Sequence, residues 1–263
     1  MPSNGGSERR PYIRSVERAF RVILAFDAER PRLTLSEVAQ ITDLDRATAR
    51  RLLLTLADLG YVRINKRDFE LSPRLLELGY SYLSSMSLVD VVQPHLQRLA
   101  RDLNETASLT VLDGDDVVYV GLAVGGRLSA VNITVGTRFK AYATSMGRVL
   151  LAGLSDEELE DHLARVQLEN WTEYSLGSIA ELRLALKEAR EQGWALVDQE
   201  LELGLRGVAA PVRDRTGVVV AAINVSVHTG RASASELTQS YLPRLREAAE
   251  SVEGDLRGKP LVW

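Results

Sequence analysis

The chain contains 263 residues, of which 45% are hydrophobic and none is cysteine, and its formal net charge is −4. This length and apolar fraction predict a globular protein of two domains. The lack of cysteine excludes disulfides, thiolate zinc sites, iron–sulfur clusters and a cysteine nucleophile, and it fits a reducing cytoplasm.

The N-terminal segment MPSNGGSERRPY lacks the apolar core of a signal peptide. No apolar run in the sequence approaches the roughly 18–20 residues that a membrane span requires. We therefore expect a soluble, cytoplasmic protein that makes no contact with a membrane.

Charge is distributed unevenly along the chain. Residues 1–72 carry 13 Lys and Arg against 10 Asp and Glu, a net of +3, whereas residues 73–263 carry 19 against 26, a net of −7. This asymmetry indicates that only the N-terminal part meets a polyanion such as DNA.

The first predicted helix starts after Ser15, a suitable N-cap, and Pro31 prevents its continuation. The helical period places five apolar residues on the side that we expect to be buried. These residues are Val16, Ala19, Phe20, Ile23 and Phe26.

The second and third helices are predicted from their start and stop signals. Thr34 and Glu37 in the sequence TLSE have the spacing of a capping box. The tight turn TDLD follows, and Asp45 is the predicted N-cap of a third helix. That helix runs to Leu59, and Gly60 supplies its C-terminal stop.

The third helix is predicted to have an apolar side and a basic side. Ala49, Leu52, Leu53, Leu56 and Leu59 share one face at 100° per residue. Ala47, Arg50, Arg51 and Leu54 point the other way, and Arg46 flanks them. The arginines lie toward the N-terminal half, where a recognition helix usually touches base edges.

The segment YVRINKRDFEL predicts a β-hairpin with basic residues at its tip. Three helices followed by such a hairpin are typical of a winged helix-turn-helix domain, here residues 1–72. The alternative is a small helical bundle with a solvated basic face. The predicted DNA-binding residues are Arg46, Ala47, Thr48, Arg50, Arg51, Arg63, Lys66 and Arg67.

A linker helix is predicted over residues 73–86, with Ser72 as N-cap and Pro73 at the first helical position. Its apolar stripe either packs on its own domain or pairs with the same helix of a second subunit. A winged domain that reads a twofold site needs a dimer, so we favour pairing. The stripe consists of Leu75, Leu76, Tyr82 and Leu83.

Residues 87–263 alternate between helical and extended patterns. A helix is predicted over 90–104, a hairpin around the sequence DGDD, helices over 145–154, 156–166 and 179–192, two long strands joined by RDRTG, and a final helix over 234–256. The predicted fold class is α+β, with one antiparallel sheet flanked by helices.

Residues that could perform chemistry are sparse in this second domain. His95, His162 and His228 are far apart, and none has metal-ligand or nucleophile-elbow spacing. The segments VGTRFKAYATSMGRVLLAGL and DQELELGLRG combine glycines, polar residues and a helix start. They are interpreted either as the walls of a small-molecule pocket or as ordinary turns.

The order of these features resembles the IclR family of bacterial transcriptional regulators over essentially the whole chain. The matching segments are RSVERAFRVILAF, LSEVAQITDLDRATARRLLLTLADLGYV, LLELGYSYL, TSMGRVLLA and DQELELGLRGVAAPV. Within the family, VLDGDDVVYV and AYATSMGRVLLA are similar to the subgroup of PcaR, PcaU and PobR, which regulates the breakdown of aromatic acids.

The resemblance implies a GAF-like effector-binding domain over residues 87–263 and a homodimer, often paired into a tetramer. It also implies where the effector binds. Many relatives have Gly-Ala where this chain has Ser145-Met146, so we expect its pocket floor to differ. Subgroup members often have serine at the position of Gly207. The implied effector-binding residues are Leu128, Phe139, Ser145, Met146, Asp198, Gly207, Asn224 and Ser226.

The predicted function is transcription regulation by a protein that binds double-stranded operator DNA and a small aromatic or dicarboxylic acid. Protocatechuate, 4-hydroxybenzoate and β-ketoadipate are the effectors considered. No cofactor and no metal ion are expected. The alternatives are an enzyme that acts on a small acid and carries a regulatory DNA-binding domain, and a DNA-binding protein without a ligand. No acid–base pair, triad or metal cluster in the sequence supports the enzyme.

Overall fold

The structure, a computed structural model, describes residues 12–79, 87–125 and 133–257. The chain divides into two compact units, Met1–Tyr82 and Leu83–Trp263. The division falls inside the segment 73–86 that the sequence predicts to be a linker.

The N-terminal unit has the three helices and the wing that the sequence predicts. A short strand that was not predicted pairs with the wing, so that the sheet has the order β1-β3-β2 and is antiparallel. The helices are α1 (Arg14–Ile23), α2 (Leu35–Thr42) and α3 (Arg46–Asp58); the strands are β1 (Arg32–Thr34), β2 (Val62–Asn65) and β3 (Asp68–Leu71).

The predicted caps of α2 and α3 are present. The Thr34 hydroxyl accepts a hydrogen bond from the Glu37 backbone N–H, and the Glu37 carboxylate accepts one from the Thr34 N–H at 2.7 Å. Asp45 accepts from the Thr48 N–H at 2.8 Å. Gly60 follows α3 with a φ of +83°, the left-handed backbone that glycine adopts readily.

The prediction for α1 was wrong at its start and right only in part about its buried side. The N-cap is Ile13, without a side-chain cap, rather than Ser15. Val16 and Phe20 are exposed, contrary to the prediction, whereas Phe26 is buried and Ile23 packs against the core as predicted. Val22, which was not predicted, is also buried. The physical reason is that helical period alone does not specify which side of α1 meets the core, because its contacts with α2 and α3 decide this.

The apolar face of α3 largely follows the prediction. Ala49, Leu53 and Leu56 are buried in the core of the N-terminal unit, and Leu52 is half-buried. Leu59 is exposed, contrary to the prediction, because the helix has already ended at Asp58 and Leu59 lies at its C-cap.

The predicted start of the linker helix is confirmed. The Ser72 hydroxyl accepts a hydrogen bond from the Arg74 N–H at 3.1 Å, and Pro73 occupies the first turn. The chain forms a 3-10 turn over Pro73–Leu75 and is helical over 76–79. Tyr82 and Leu83, which the predicted stripe includes, lie outside the described residues.

The C-terminal unit contains one six-stranded antiparallel sheet with the order β6-β5-β4-β9-β8-β7. The predicted α+β class is therefore confirmed. The strands are β4 (Thr106–Asp113), β5 (Asp116–Ala123), β6 (Arg138–Lys140), β7 (Ala195–Asp198), β8 (Leu205–Arg213) and β9 (Val219–His228).

Helices cover both faces of this sheet. The final helix is interrupted, because a π turn at Leu237–Tyr241 separates the short turn Ala234–Glu236 from the long helix that the sequence predicted to be continuous. The helices are α4 (Ser87–Leu103), α5 (Ser145–Ala152), α6 (Asp156–Arg165), α7 (Ile179–Gln192) and α8 (Leu242–Arg257).

Strand alternation divides the core of this unit into two layers. Leu109, Ile223 and Val225 point toward α4 and α8, and together they form one cluster. Ala209 and Ala222 point to the other face, where α5 and α7 pack. The site described below lies on this second face, near the start of α5.

Candidate functional site

The outward face of α3 presents the arginines predicted to contact DNA. Arg46, Ala47, Arg50 and Arg51 are exposed, and Thr48 is half-buried. The cap at Asp45 fixes where the helix begins, so these residues occupy its first two turns. The arrangement is that of a helix able to present basic side chains to a nucleic-acid groove.

The wing presents a second group of cations. Arg63 lies on β2, and Lys66 and Arg67 form the turn between Asn65 and Asp68, where Lys66 has a φ of +58°. All three cationic side chains are exposed. The turn projects them from the end of the hairpin.

The predicted DNA-binding cations differ from other arginines of the same unit in their pairing. Among the described residues, none of the six has a carboxylate within 4 Å; they are Arg46, Arg50, Arg51, Arg63, Lys66 and Arg67. Four other arginines form ion pairs: Arg21 with Glu17, Arg30 with Asp27, Arg32 with Glu70 and Arg74 with Glu77. The helix and wing cations therefore keep their charge available for phosphate.

The C-terminal unit contains a cavity between the start of α5, the sheet and the segment before β8. Its volume is about 360 Å³, including its open mouth. The cavity is lined by Tyr119, Ala143, Thr144, Ser145, Met146, Val197, Leu201, Glu202, Leu205, Gly207, Asn224 and Ser226.

The start of α5 brings backbone N–H groups to this cavity. The Thr144 hydroxyl caps the helix by accepting from the Gly147 N–H at 3.0 Å. The N–H groups of Ser145 and Met146 have no acceptor among the described residues. Two free N–H groups at a helix start favour an anion, because the helix dipole adds to their partial positive charge.

Gly147 allows this helix start to pack closely on the preceding turn. A Cβ at this position would lie 2.0 Å from the Ala141 carbonyl oxygen. No side chain fits there, which gives a physical reason for the glycine in TSMGRVLLA.

The sheet supplies a polar wall opposite this helix start. Asn224 is 1% exposed, and its Nδ2 donates to the Ser226 hydroxyl at 3.0 Å. Its Oδ1 has no hydrogen-bond partner among the residues that the structure describes. A buried amide oxygen without a donor is costly, so a ligand that donates to it would be stabilised.

Gly207 pairs with Ser226 across β8 and β9. A Cβ on Gly207 would lie 3.0 Å from the Ser145 hydroxyl and 3.9 Å from the Asn224 amide nitrogen. The glycine therefore keeps open the space between the helix start and the polar wall.

Tyr119 on β5 adds a hydroxyl that the sequence did not predict. Its ring packs edge-on against Phe139 at 5.9 Å between centroids, and its hydroxyl lies 3.9 Å from the Met146 sulfur. Thioether sulfur is a weak acceptor, so the hydroxyl remains available to a ligand. Burial raises the pKa of Tyr119 well above its usual value, which keeps the hydroxyl protonated.

The segment between β7 and β8 forms the mouth of the cavity. Its backbone carbonyl at Glu200 accepts from the Ser175 hydroxyl at 2.7 Å, and the Glu200 carboxylate pairs with Arg148 of α5. Glu202 is exposed at the mouth. The same helix therefore supplies the N–H groups inside the cavity and the cation that holds its rim.

The structure brings five of the eight predicted effector-binding residues together around the cavity: Ser145, Met146, Gly207, Asn224 and Ser226. Phe139 stands behind Tyr119 and does not line it. Asp198 bonds to Arg206 at 2.6 Å, which gives it a structural role. Leu128 lies outside the described residues.

Tyr119 was missed from the sequence, whereas Leu201, Glu202 and Leu205 lie in the segment DQELELGLRG that was interpreted as a possible pocket wall, without being named individually. One available signal was the alternation of DVVYVGLA, in which Tyr119 shares a side with Val117 on a largely buried strand. Leu201 and Glu202 lie in a loop, where no helical or strand period applies. The sequence pattern therefore does not show that their side chains face the cavity.

The histidines lie in separate surroundings. His95 bonds to Asp255 at 2.9 Å, and His162 has its Nδ1 3.1 Å from the Asp115 carboxylate. Within residues 12–79, 87–125 and 133–257, no three His, Asp or Glu side chains are grouped as a metal site requires. In the same ranges no helix is both long and apolar enough to cross a membrane.

Comparison with known proteins identifies the family. Residues 15–65 match the IclR helix-turn-helix domain, and residues 80–253 match the C-terminal domain of bacterial transcriptional regulator IclR. The Pca regulon regulatory protein of Pseudomonas putida is 42% identical over 248 residues, which cover 94% of this chain and 85% of that protein.

Two crystal structures are similar over nearly the whole chain. A protein from Rhodococcus sp. RHA1 shares 49% identity with a TM-score of 0.85, covering 94% of this chain and 99% of its own. An IclR homologue from Microbacterium hydrocarbonoxydans, in complex with 4-hydroxybenzoate, shares 26% identity with a TM-score of 0.83, covering 93% and 100%. The chain therefore belongs to the IclR family and is a DNA-binding transcriptional regulator.

Proposed function

We propose that this protein binds operator DNA as a dimer in the cytoplasm, and that a small organic acid from aromatic catabolism controls this binding. The observation that carries the proposal is the cavity at the start of α5, where the free N–H groups of Ser145 and Met146 can receive a carboxylate. The effector classes at issue are hydroxybenzoates and the dicarboxylate β-ketoadipate.

The relatives support this choice of ligand. One is the regulatory protein of the Pca regulon, and another is an IclR homologue crystallised with 4-hydroxybenzoate.

For DNA, the proposal places α3 in the major groove and the wing beside the phosphate backbone. Arg50 and Arg51 are the residues expected to reach base edges, and Lys66 is expected to neutralise phosphate. The unpaired state of these cations among the described residues supports the assignment, because a cation held by a carboxylate is less available to DNA.

The dimer is expected to involve the linker helix. Leu76 is 74% exposed, and a large apolar side chain on such a helix gains by being covered. Two winged domains would read two related half-sites, separated by about one helical turn or a multiple of it. The proposal includes a tetramer made of two such dimers. Light scattering distinguishes a dimer and a tetramer from a monomer.

Footprinting on the DNA upstream of the gene, followed by anisotropy titration with and without each acid, tests the proposal. Two protected half-sites and an acid-dependent change in DNA affinity are expected. Binding linkage requires DNA to change acid affinity by the same factor. Operator binding that no acid alters, in a protein that no acid stabilises against heat, would indicate a DNA-binding protein without such a ligand. Turnover of the acid would indicate an enzyme.

A further inference from the structure

We infer that the cavity selects monocarboxylates that carry a hydroxyl donor and excludes dicarboxylates, with Asn224 as the residue that recognises the hydroxyl. This inference rests on the proposed function, since it concerns the ligand of the same cavity. It chooses between the two effector classes that the proposed function leaves open.

The cavity offers a place for one carboxylate. At the start of α5 the Gly147 N–H is already bound by Thr144, which leaves the N–H groups of Ser145 and Met146. Two adjacent N–H donors match the two oxygens of a single carboxylate.

No lysine or arginine lines the cavity among the described residues. The arginines on the adjoining elements are committed elsewhere, because Arg148 pairs with Glu200 and Arg206 pairs with Asp198. Among these described residues, a second carboxylate on the ligand would find no cation to balance it in a partly buried space, which is unfavourable.

The polar wall formed by Asn224 and Ser226 can accept a hydrogen bond from a donor on the ligand. Asn224 uses its Nδ2 on the Ser226 hydroxyl, so Oδ1 is the atom left without a partner. A ligand hydroxyl can donate to this oxygen, whereas a carboxylate would place one acceptor against another. Glu202 at the mouth adds a further negative charge that opposes a dianion.

Tyr119 and Gly207 fit the same ligand. The Tyr119 hydroxyl is a neutral group that can donate to a ligand oxygen or accept from a ligand hydroxyl. Gly207 leaves open the space beside Ser145, Ser226 and Asn224 that a side chain would occupy. A hydroxybenzoate presents one carboxylate for the N–H groups of α5, one flat ring for the space beside Gly207, and at least one hydroxyl for Asn224.

Calorimetric titration of the full-length protein with four acids tests the inference. The acids are 4-hydroxybenzoate, benzoate, terephthalate and β-ketoadipate; benzoate lacks the hydroxyl, and terephthalate replaces it with a second carboxylate on the same ring. We expect 4-hydroxybenzoate to bind at least about tenfold more tightly than benzoate and more tightly still than either dicarboxylate.

Two variants assign the selectivity to residues. Asn224→Ala should reduce the preference for 4-hydroxybenzoate over benzoate to near onefold, because the acceptor is gone. Glu202→Gln should strengthen terephthalate relative to 4-hydroxybenzoate, because the opposing charge is gone. The titrations on the unmodified protein decide the main question even if Asn224→Ala fails to fold.

The outcomes separate this inference from the proposed function. Binding of terephthalate or β-ketoadipate as tight as that of 4-hydroxybenzoate would overturn the inference and leave an acid-controlled regulator in place. Equal binding of benzoate and 4-hydroxybenzoate would overturn the selectivity for a hydroxyl and, with it, the role of Asn224. Failure of all four acids to bind would overturn the inference together with the proposed organic-acid effector.

Discussion

Arg148 of α5 and Glu200 of the segment before β8 form a buried ion pair, with side chains that are 6% and 12% exposed. Arg148 also donates to the Tyr142 carbonyl oxygen at 3.1 Å. The pair ties the rim of the cavity to the helix that forms its floor. Removing one partner of such a pair leaves an uncompensated charge in a poorly solvated place.

Glu200→Gln is therefore expected to lower the free energy of unfolding of the C-terminal unit by about 3 kcal/mol. Urea denaturation followed by tryptophan fluorescence reports on this unit, because all three tryptophans follow residue 83. Glu191→Gln is the matched control, since Glu191 and Lys187 form an exposed pair at 3.8 Å. It should change stability by at most about 0.5 kcal/mol, and an equal loss in both variants would contradict the assigned role of burial.

Gly147 should tolerate no side chain. Gly147→Ala places a Cβ against the Ala141 carbonyl, and the resulting overlap should destabilise the C-terminal unit by about 3 kcal/mol. The control is Gly254→Ala in α8, where nothing lies within 4 Å of the new Cβ. That change should leave stability unaltered or raise it by up to about 1 kcal/mol, because alanine favours helix over glycine. The same denaturation measurement compares the two.

Local signals in the sequence predicted the parts of the fold that short-range physics determines. The capping box of Thr34 and Glu37, the cap at Asp45 and the stop at Gly60 all depend on neighbours within a few residues, and the structure contains them. The hairpin that carries Lys66 depends on a turn and on alternation, and it was predicted for the same reason.

The buried side of α1 and the strand β1 depend on distant partners. Leu33 of β1 pairs with Phe69 of β3, 36 residues later in the chain, and no local pattern specifies this contact. Phe20 satisfies the helical period yet is exposed, whereas Val22 in the same helix is buried against its neighbours. In both cases contacts between distant parts of the chain, and not the local hydrophobic period, decide which residues are buried.

The cavity was predicted in part. Ser145 and Met146 were found because a helix start follows small and polar residues, and the resemblance to the family pointed to the same place. Tyr119 was missed because the alternation of apolar residues along its strand is the same whether its side chain lies in the core or lines a pocket. Asp198 was included as an effector-binding residue, yet its bond to Arg206 depends on the pairing of β7 with β8, which follows from the whole sheet.

His162 should make the stability of the C-terminal unit depend on pH. It is 1% exposed, and burial lowers its pKa, an effect that the nearby Asp115 opposes in part. The unfolded chain therefore binds a proton at His162 at a higher pH than the folded chain does. The free energy of unfolding should fall as the pH drops below about 6.5, the usual value for histidine.

Urea denaturation at several pH values between about 7.5 and 5 checks this dependence, because histidine titrates in roughly this range. His162→Gln should weaken the pH dependence in this window. His228→Gln, at an exposed position, is the control and should leave it unchanged. An identical pH profile in His162→Gln and the unmodified protein would show that this histidine does not control the effect.

The arginines of α3 should supply sequence-specific affinity. Arg50→Ala and Arg51→Ala are each expected to weaken operator binding by about 1–3 kcal/mol, because each removes a donor that can reach base edges. Arg30→Ala is the control: it removes the same charge from the same unit, but Arg30 is paired with Asp27. Fluorescence anisotropy with operator DNA measures all three. Unchanged affinity in the double variant Arg50→Ala/Arg51→Ala would rule out α3 as the recognition helix.

Lys66 should act on DNA through charge alone. It lies at the tip of the wing with no carboxylate within 4 Å among the described residues, so its expected contact is a phosphate. Neutralising one phosphate releases counterions, and each such contact contributes about 0.9 to the slope of log affinity against log salt. Lys66→Ala should therefore weaken operator and unrelated DNA by the same factor and reduce the slope by about 0.9. Titrations at several salt concentrations on both DNAs measure this. A loss confined to the operator would instead assign Lys66 to base recognition.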